Sequence, residues 1–509
     1  MASGPQPEAR SLQPASSRLR RGEGRLFLLL LVAYGWLFVF FEKINNPNEL
    51  VRIYAARALA EEHRWSIGAR TRAGDTGILR DWGYVNDKAL VCDDARLSPP
   101  ACEGRLYAAK APGASAVAAP VLLVMGWFGP LQKTSCVFVL RWMLIILPTL
   151  VFWILLRRYL LDSGIAEEVA LACTLAGALG SLSLTYGQMF AGHQLAALAL
   201  GAAYLSGFWK CRPFQVGFFC AAAVAFEYPS APAAVILIAS FVWAGKLRHL
   251  RGVLLGALPW ALLVAQFHWS AFGAPWSTPY RHLENPAFVQ DLAPGFMGIS
   301  IPSAERVYGS LFAPYLGLFF WAPWIALALR PRRNVPFAII AYYLVFQITH
   351  ALWRSGWVVG PRYLTPLVPF AAISAAMFLR DRPRLFPLFR GLAVAGIVAT
   401  GLASAVCQGF PLEVQNPLRE VVWPLLSHGW IPRNPLQWIG VPGLWSALPY
   451  FAVLAIAIAV LLRRGRLALA VALAVVAAQW LAPAIPDRGA ARFLASVWSP
   501  DPPPGATPF

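Results

Sequence analysis

The stretch Val137–Arg158, VFVLRWMLIILPTLVFWILLRR, decides the fold class. It is a mainly apolar run closed by Arg157 and Arg158. About 20 such residues are what an α-helix needs to cross the hydrocarbon core of a bilayer. The unit recurs: further apolar segments end at Lys210/Arg212, Lys246/Arg248/Arg251, Arg330/Arg332/Arg333, Arg380/Arg382/Arg384/Arg390 and Arg463/Arg464/Arg466. Every second connection is basic, the pattern of cytoplasmic loops. The intervening connections hold the long segments, the acids and the aromatics.

Spans are expected at 26–42, 137–156, 166–186, 192–208, 214–228, 230–245, 252–272, 311–329, 335–352, 364–379, 391–408, 448–462 and 467–484. The expectation is an all-α polytopic membrane protein of about 13 transmembrane helices, with the N-terminus cytoplasmic and the C-terminus external. Composition agrees: 58% of the 509 residues are hydrophobic and 13% charged, against about 25% charged in a soluble domain. The net charge of +19 is unevenly placed. Of 43 Lys/Arg, 22 lie in the N-terminal tail and the six basic loops, with only six of the 24 acids. The excess is therefore an orientation signal and a contact with anionic membrane lipids, not a nucleic-acid patch.

Residues 1–25, polar and Pro/Ser-rich, read as a disordered basic cytoplasmic tail, 26–485 as the transmembrane domain, and 486–509 as a short external tail. No small-residue cleavage site follows Leu26–Phe41, so that run is expected to stay as the first span. Three long external stretches stand out: 43–136, about 274–310, and 409–447. Residues 114–130 are apolar, but counting them as a span would invert every later loop. With Pro120, Gly126 and Gly129 they are expected to form a re-entrant or interface-lying helix. Five cysteines sit in or beside spans. Cys92 and Cys102 lie in the first external loop, where a disulfide and two free thiols are both open readings.

Candidate chemistry gathers on the external side. Asn45–Asn48 reads as a turn and cap around Pro47, opening a short helix that contains Glu49 and Arg52. A carboxylate at the membrane face is costly unless solvated, paired or useful. The plain alternative is a helix-start acid paired with Arg52 at i+3. Lys110 precedes a Pro-Gly turn that starts a helix, a place that suits a phosphate and equally a snorkelling lysine. His193 falls in a short external turn, as a bundle-facing polar residue or an acceptor or phosphate contact. Glu227 ends a span just before Pro229, as a functional acid or the partner of a nearby arginine. Tyr280, in PYRH, suits a loop folded down over a cavity mouth. Arg362 and Tyr363 lie in GWVVGPRYL. Arg362 is a cation on the wrong side for the charge rule, and an anion would explain it. No zinc, P-loop or GxSxG signature is present, so no metal site is expected.

In order along the chain, these elements resemble the GT-C superfamily of membrane glycosyltransferases, bacterial relatives of the protein O-mannosyltransferases and of the lipid A aminoarabinose transferase. The resemblance rests on Asn48-Glu49 after span one, Lys110-Ala111-Pro112 before a juxtamembrane helix, and Phe272-Gly273 with Pro275. It continues through Leu311–Phe319 and Gly356–Pro366. It implies an inner-membrane enzyme with a GT-C-like fold and juxtamembrane helices in the first external loop. The implied donor is a polyprenyl-phosphate-linked sugar, and the acceptor a lipid, glycan or protein. The implied roles are Glu49 as the catalytic-site acid, a general base on an acceptor hydroxyl or a group that holds a metal or the acceptor in place, Lys110 and Arg362, with Arg52 behind them, as donor-phosphate ligands, and Tyr363, His193, Glu227 and Tyr280 as cavity residues. Relatives often place two acids together where this chain has Asn48-Glu49. That leaves a divalent metal without a ligand motif. A flippase for a lipid-linked sugar and a silent scaffold are the rival readings.

Overall fold

The computed structural model describes residues 22–245, 247–295, 297–330, 334–463, 465–485, 488–498 and 501–509. The expected N-terminal tail, apart from its last four residues, lies outside them, as do parts of several basic clusters. The chain is mostly helical. Five helices are long and apolar enough to cross a membrane: Lys133–Asp162, Tyr228–Gly245, Leu247–Phe272, Arg362–Asp381 and Pro383–Ser404. Five shorter apolar helices accompany them, at Gly113–Gly126, Pro213–Phe226, Val335–Thr349, Leu448–Leu462 and Arg466–Leu481.

Several expected spans are broken, for local reasons. Residues 166–186 form Glu167–Leu179 and, after Gly180, a separate turn at Leu182–Tyr186 capped by the Ser181 side chain. Residues 311–329 reduce to Leu318–Trp321 and a 3-10 turn at Pro323–Ala328, because Pro314 and Pro323 each remove a backbone donor. The first helix, α1 (Glu23–Gly35), stops early, and Phe38 then pairs with Arg433 in an isolated bridge.

Helix packing uses small residues, as expected where lipid removes the hydrophobic drive between helices. A Cβ on Gly217 would lie 1.9 Å from the Val253 carbonyl, and one on Gly256 1.9 Å from that of Phe214. Helices Pro213–Phe226 and Leu247–Phe272 therefore touch backbone to backbone. On the outer side of the second, Leu254, Leu258 and Leu262 are exposed at every fourth residue. This is a stripe that lipid would cover.

The 43–136 stretch departs from the all-α expectation. Helix α2 (Pro47–Glu62) opens it and α3 (Gly113–Gly126) closes it. Between them stands a four-stranded antiparallel sheet in the order β2-β1-β4-β3: β1 (Gly68–Thr71), β2 (Gly74–Thr76), β3 (Lys88–Cys92) and β4 (Gly104–Ala108). Cys92 and Cys102 form a disulfide across the β3–β4 connection. The strands are too short for a period-2 pattern to stand out.

The 274–310 stretch hangs from this sheet. Leu283 bridges Ala89, and the Glu284 N–H donates to the Lys88 carbonyl at 3.0 Å. Arg70 Nη2 donates to Glu284 Oε1 at 2.6 Å, Arg70 Nε to Asp75 Oδ1 at 2.8 Å, and Lys88 Nζ to Asp75 Oδ2 at 2.7 Å. The end of the chain is also packed: Trp498 is buried against Phe41 and Trp430, and Phe509 stacks on His428.

Candidate functional site

A cavity of about 880 Å³ opens among α2, the sheet, the 279–299 segment and the ends of the long helices. That volume suits a sizeable organic ligand. It collects Asn48, Glu49, Lys110, His193, Glu227, Tyr280, Arg362 and Tyr363 from separate parts of the chain. Of the expected site residues, only Arg52 lies outside the lining, one contact behind Glu227.

Glu49 is positioned by the start of α2. The Asn46 side chain accepts from the Asn48 N–H at 3.0 Å, and Pro47 occupies the first turn. This is a preferred arrangement of cap and proline. Glu49 does not pair with Arg52. Its partner is Arg141, whose Nε and Nη2 each donate to one carboxylate oxygen at 2.7 Å. The Phe190 N–H adds a third bond, to Oε1, at 2.8 Å. Arg141 also donates to the Val39 carbonyl at 2.6 Å. A planar fork matches both carboxylate oxygens, and Arg141 brings that fork from the helix Lys133–Asp162, at the first residue of a π-helical stretch, Arg141–Ile146. Pro148, just beyond, cannot donate a backbone bond, and such irregular turns gather at proline and at functional sites.

Arg52 points elsewhere. Its Nη1 donates to the backbone carbonyl and side-chain oxygen of Asn48, and its Nη2 to Glu227 Oε1 at 2.6 Å. Glu227 is thus an arginine's partner. The approach needs Gly192: a Cβ there would lie 2.3 Å from Glu227 Oε1 and 2.8 Å from Arg52 Nη2. His193 follows, with Nδ1 3.6 Å from Glu227 Oε1 and its ring edge-on to Tyr363.

The sheet supplies a third pair. The β3–β4 register sets Lys88 opposite Ala108, and the pairing continues as Ala109 N–H donates to the Asp87 carbonyl at 2.9 Å. One residue further, Lys110 Nζ lies 3.1 Å from Asp87 Oδ2. Arg362 is the exception. Among the described residues no carboxylate lies within ion-pair distance of it, and its buried Nε has no protein partner.

Three carboxylates (Glu49, Asp87, Glu227) are therefore matched by Arg141, Lys110 and Arg52, and Arg362 is the surplus cation. Unsatisfied buried polar atoms are uncommon and call for an explanation. Here Asn86 Oδ1, His193 Nε2, His350 Nδ1 and Arg362 Nε, all on cavity residues, lack protein partners. Tyr228, beside Glu227, shares a 2.7 Å hydrogen bond with His268 Nε2. Burial, reinforced by the Glu227 carboxylate, holds the Tyr280 phenol well above its ordinary range, so it is a neutral donor.

The rest of the lining is apolar: Phe40, Phe41, Ile44, Phe288, Leu292 and Phe346 among others. Met297, Ile299 and Val345 line the cavity and are solvent-exposed, so the apolar wall includes accessible surface. Among the described residues no group of three or more His, Cys, Asp or Glu side chains is placed to hold a metal ion.

Arg141, Asp87, Asn86 and Tyr228 were not among the residues expected from sequence. Arg141 carried a usable signal, since an ionisable residue inside an apolar run is a functional candidate by default. Asp87 and Asn86 carried none, because strand pairing alone brings them to the cavity. Comparison with protein-family models, with curated proteins and with solved structures returns no match for this chain.

Proposed function

We propose that this chain is a membrane glycosyltransferase that moves a monosaccharide from a polyprenyl-phosphate donor to a hydroxyl of a lipid, glycan or protein acceptor. In this reading the chain sits in the inner (plasma) membrane with about 13 spans, N-terminus in the cytoplasm, and the reaction takes place on the external face. The observation that carries it is Arg362: a cation without a carboxylate among the described residues, in a cavity whose other wall is apolar and solvent-accessible. A phosphate with a long apolar tail satisfies both features. Arg and Lys neutralise charge where a phosphate departs, and the orphaned atoms of Asn86, His193 and His350 suit sugar hydroxyls.

Further support comes from convergence. Asn48-Glu49, Lys110 and Arg362, the residues that carry the likeness to GT-C enzymes, line one cavity. The Cys92–Cys102 disulfide suits an oxidising, external compartment for the 43–136 stretch. Lys110 and Arg362 then bind the donor phosphate, and Arg52 acts behind Glu227. Glu49, with both oxygens engaged by donors, holds Arg141 and the cavity floor rather than accepting a proton.

The test is donor consumption by detergent-purified protein, using radiolabelled polyprenyl-phosphate hexoses and pentoses, with wild type, Arg362→Ala and Lys110→Ala in parallel. Release of polyprenyl phosphate by wild type and its loss in both variants is the expected result. Binding of donor without cleavage would sink the transferase reading in favour of a flippase or scaffold.

A further inference from the structure

We propose that Asp87 is the general base of the transfer reaction, and that donor binding frees it by drawing Lys110 away. This rests on the transferase reading above. Its basis is how differently the three cavity carboxylates are held. Glu49 accepts three hydrogen bonds, two of them from the Arg141 fork. Both of its oxygens are thereby fixed in place by the Arg141 side chain and the Phe190 backbone. Glu227 is bound to Arg52, which is fully buried and anchored to Asn48, so the pair has no freedom to separate. Asp87 has a single ion-pair partner, Lys110, and both side chains remain partly exposed to the cavity, at 14% and 16%.

A lysine ammonium is a compact charge with three donors on a flexible stem. A phosphate placed between Lys110 and Arg362 competes with Asp87 for it. Asp87, Lys110 and Arg362 line the same cavity, with Asp87 Oδ2 3.1 Å from Lys110 Nζ, so the carboxylate stands beside a phosphate that Lys110 holds. The neighbouring Asn86 Oδ1, buried and without a protein partner, is a second observation pointing to a ligand. It is an acceptor for a hydroxyl beside the base.

The step balances without a co-reactant. The acceptor O–H gives its proton to an Asp87 carboxylate oxygen, and the acceptor oxygen bonds to the anomeric carbon. The bond from that carbon to the phosphate oxygen breaks, and its electron pair leaves with polyprenyl phosphate, held by Arg362 and Lys110. Proton removal by a positioned group contributes about 10²–10⁴ in rate.

The experiment separates kcat from donor affinity, using the donor that wild type consumes and polyprenyl phosphate as the binding probe. Asp87→Asn is expected to lower kcat by about 100-fold or more, with affinity for polyprenyl phosphate within about threefold of wild type. Lys110→Ala is expected to lose affinity first. Should Asp87→Asn fail to fold, Asp87→Glu decides. It keeps the charge but moves the carboxylate by about 1 Å, and kcat should fall about tenfold or more. Wild-type kcat in either folded variant overturns the proposal. So does a loss confined to affinity, which makes Asp87 a positioning residue for Lys110. A wild type that consumes no donor sinks the transferase reading itself, a different outcome from active wild type with active Asp87→Asn.

Discussion

Glu49 and Arg141 meet as a two-pronged buried pair, both contacts at 2.7 Å, joining α2 to the helix Lys133–Asp162 at the cavity floor. Removing one member of such a pair leaves an uncompensated buried charge, at a cost of about 3–5 kcal/mol. Arg141→Met and Glu49→Gln should each lower the thermal midpoint of the detergent-purified protein substantially. The double variant Glu49→Gln/Arg141→Met should recover most of that loss. A double variant as unstable as the sum of the singles would contradict the pairing.

Arg362 should dominate affinity for the phosphate. A hydrogen bond to a charged group is worth about 1.5–3 kcal/mol, so Arg362→Ala should weaken binding of polyprenyl phosphate by about 10- to 100-fold. Arg362→Lys should recover only part, because an ammonium lacks the fork. Equal affinity in wild type and Arg362→Ala, by equilibrium binding, would remove the residue from the phosphate site.

Gly192 makes room for the Glu227–Arg52 contact. Gly192→Ala must push the carboxylate or the guanidinium aside, and should reduce turnover about tenfold or more, on the scale of a 1 Å misplacement. Turnover measured beside the thermal midpoint checks it; unchanged turnover would show that the pair tolerates displacement.

The Cys92–Cys102 link closes a short loop between β3 and β4. Loops of this size are stabilised by about 2–3 kcal/mol when cross-linked. The paired Cys92→Ser/Cys102→Ser variant should melt lower, and the register that presents Asp87 and Lys110 should loosen with it. Hydrogen exchange at 86–90 and 104–110 reads this directly, and unchanged protection there would show that the sheet holds its register unaided.

Asp75 gives the sheet an acid limit. Burial alone would raise its carboxyl, but hydrogen bonds from Arg70 and Lys88 outweigh it and hold the group below the usual carboxylate range. A depressed folded-state pKa means its stabilisation is present in full above the unfolded value, about 3.9, and is lost as pH falls through the folded value. The Arg70–Glu284 attachment of the 279–292 segment should therefore loosen in acid below about pH 4. Pepsin cleavage near residue 290 should rise over that window in wild type. In Asp75→Asn it should be high at every pH tested.

Much of the site was legible before any coordinates. Glu49 and Arg362 each broke a rule for membrane-facing sequence, Lys110 stood at the start of a helix, and all three reach one cavity. Glu227 carried its own alternative, an arginine partner, and that is what it has. What sequence missed depends on pairing over distance. The strands β1–β4 are three to five residues long, so no alternation announces them. Asp87 faces Lys110 only because a hairpin register sets it there. Arg141 was absorbed into the apolar average of its own run. Where Gly180 and Pro323 interrupt, the helices are shorter than composition alone suggests.

The π-helical stretch at Arg141–Ile146 has one further consequence. It winds wider than its flanks, so it holds a residue that a regular helix would not. Excising one residue there would let the turn relax to regular winding with the flanking turns still nearly in phase, because the wide turn takes up its extra residue locally. What would change is the wide turn itself, of which Arg141 is the first residue. The setting of the Arg141 fork is thus written partly in the spacing of the chain, and a gap of one in an otherwise similar sequence would mark the loss of the wide turn that carries it.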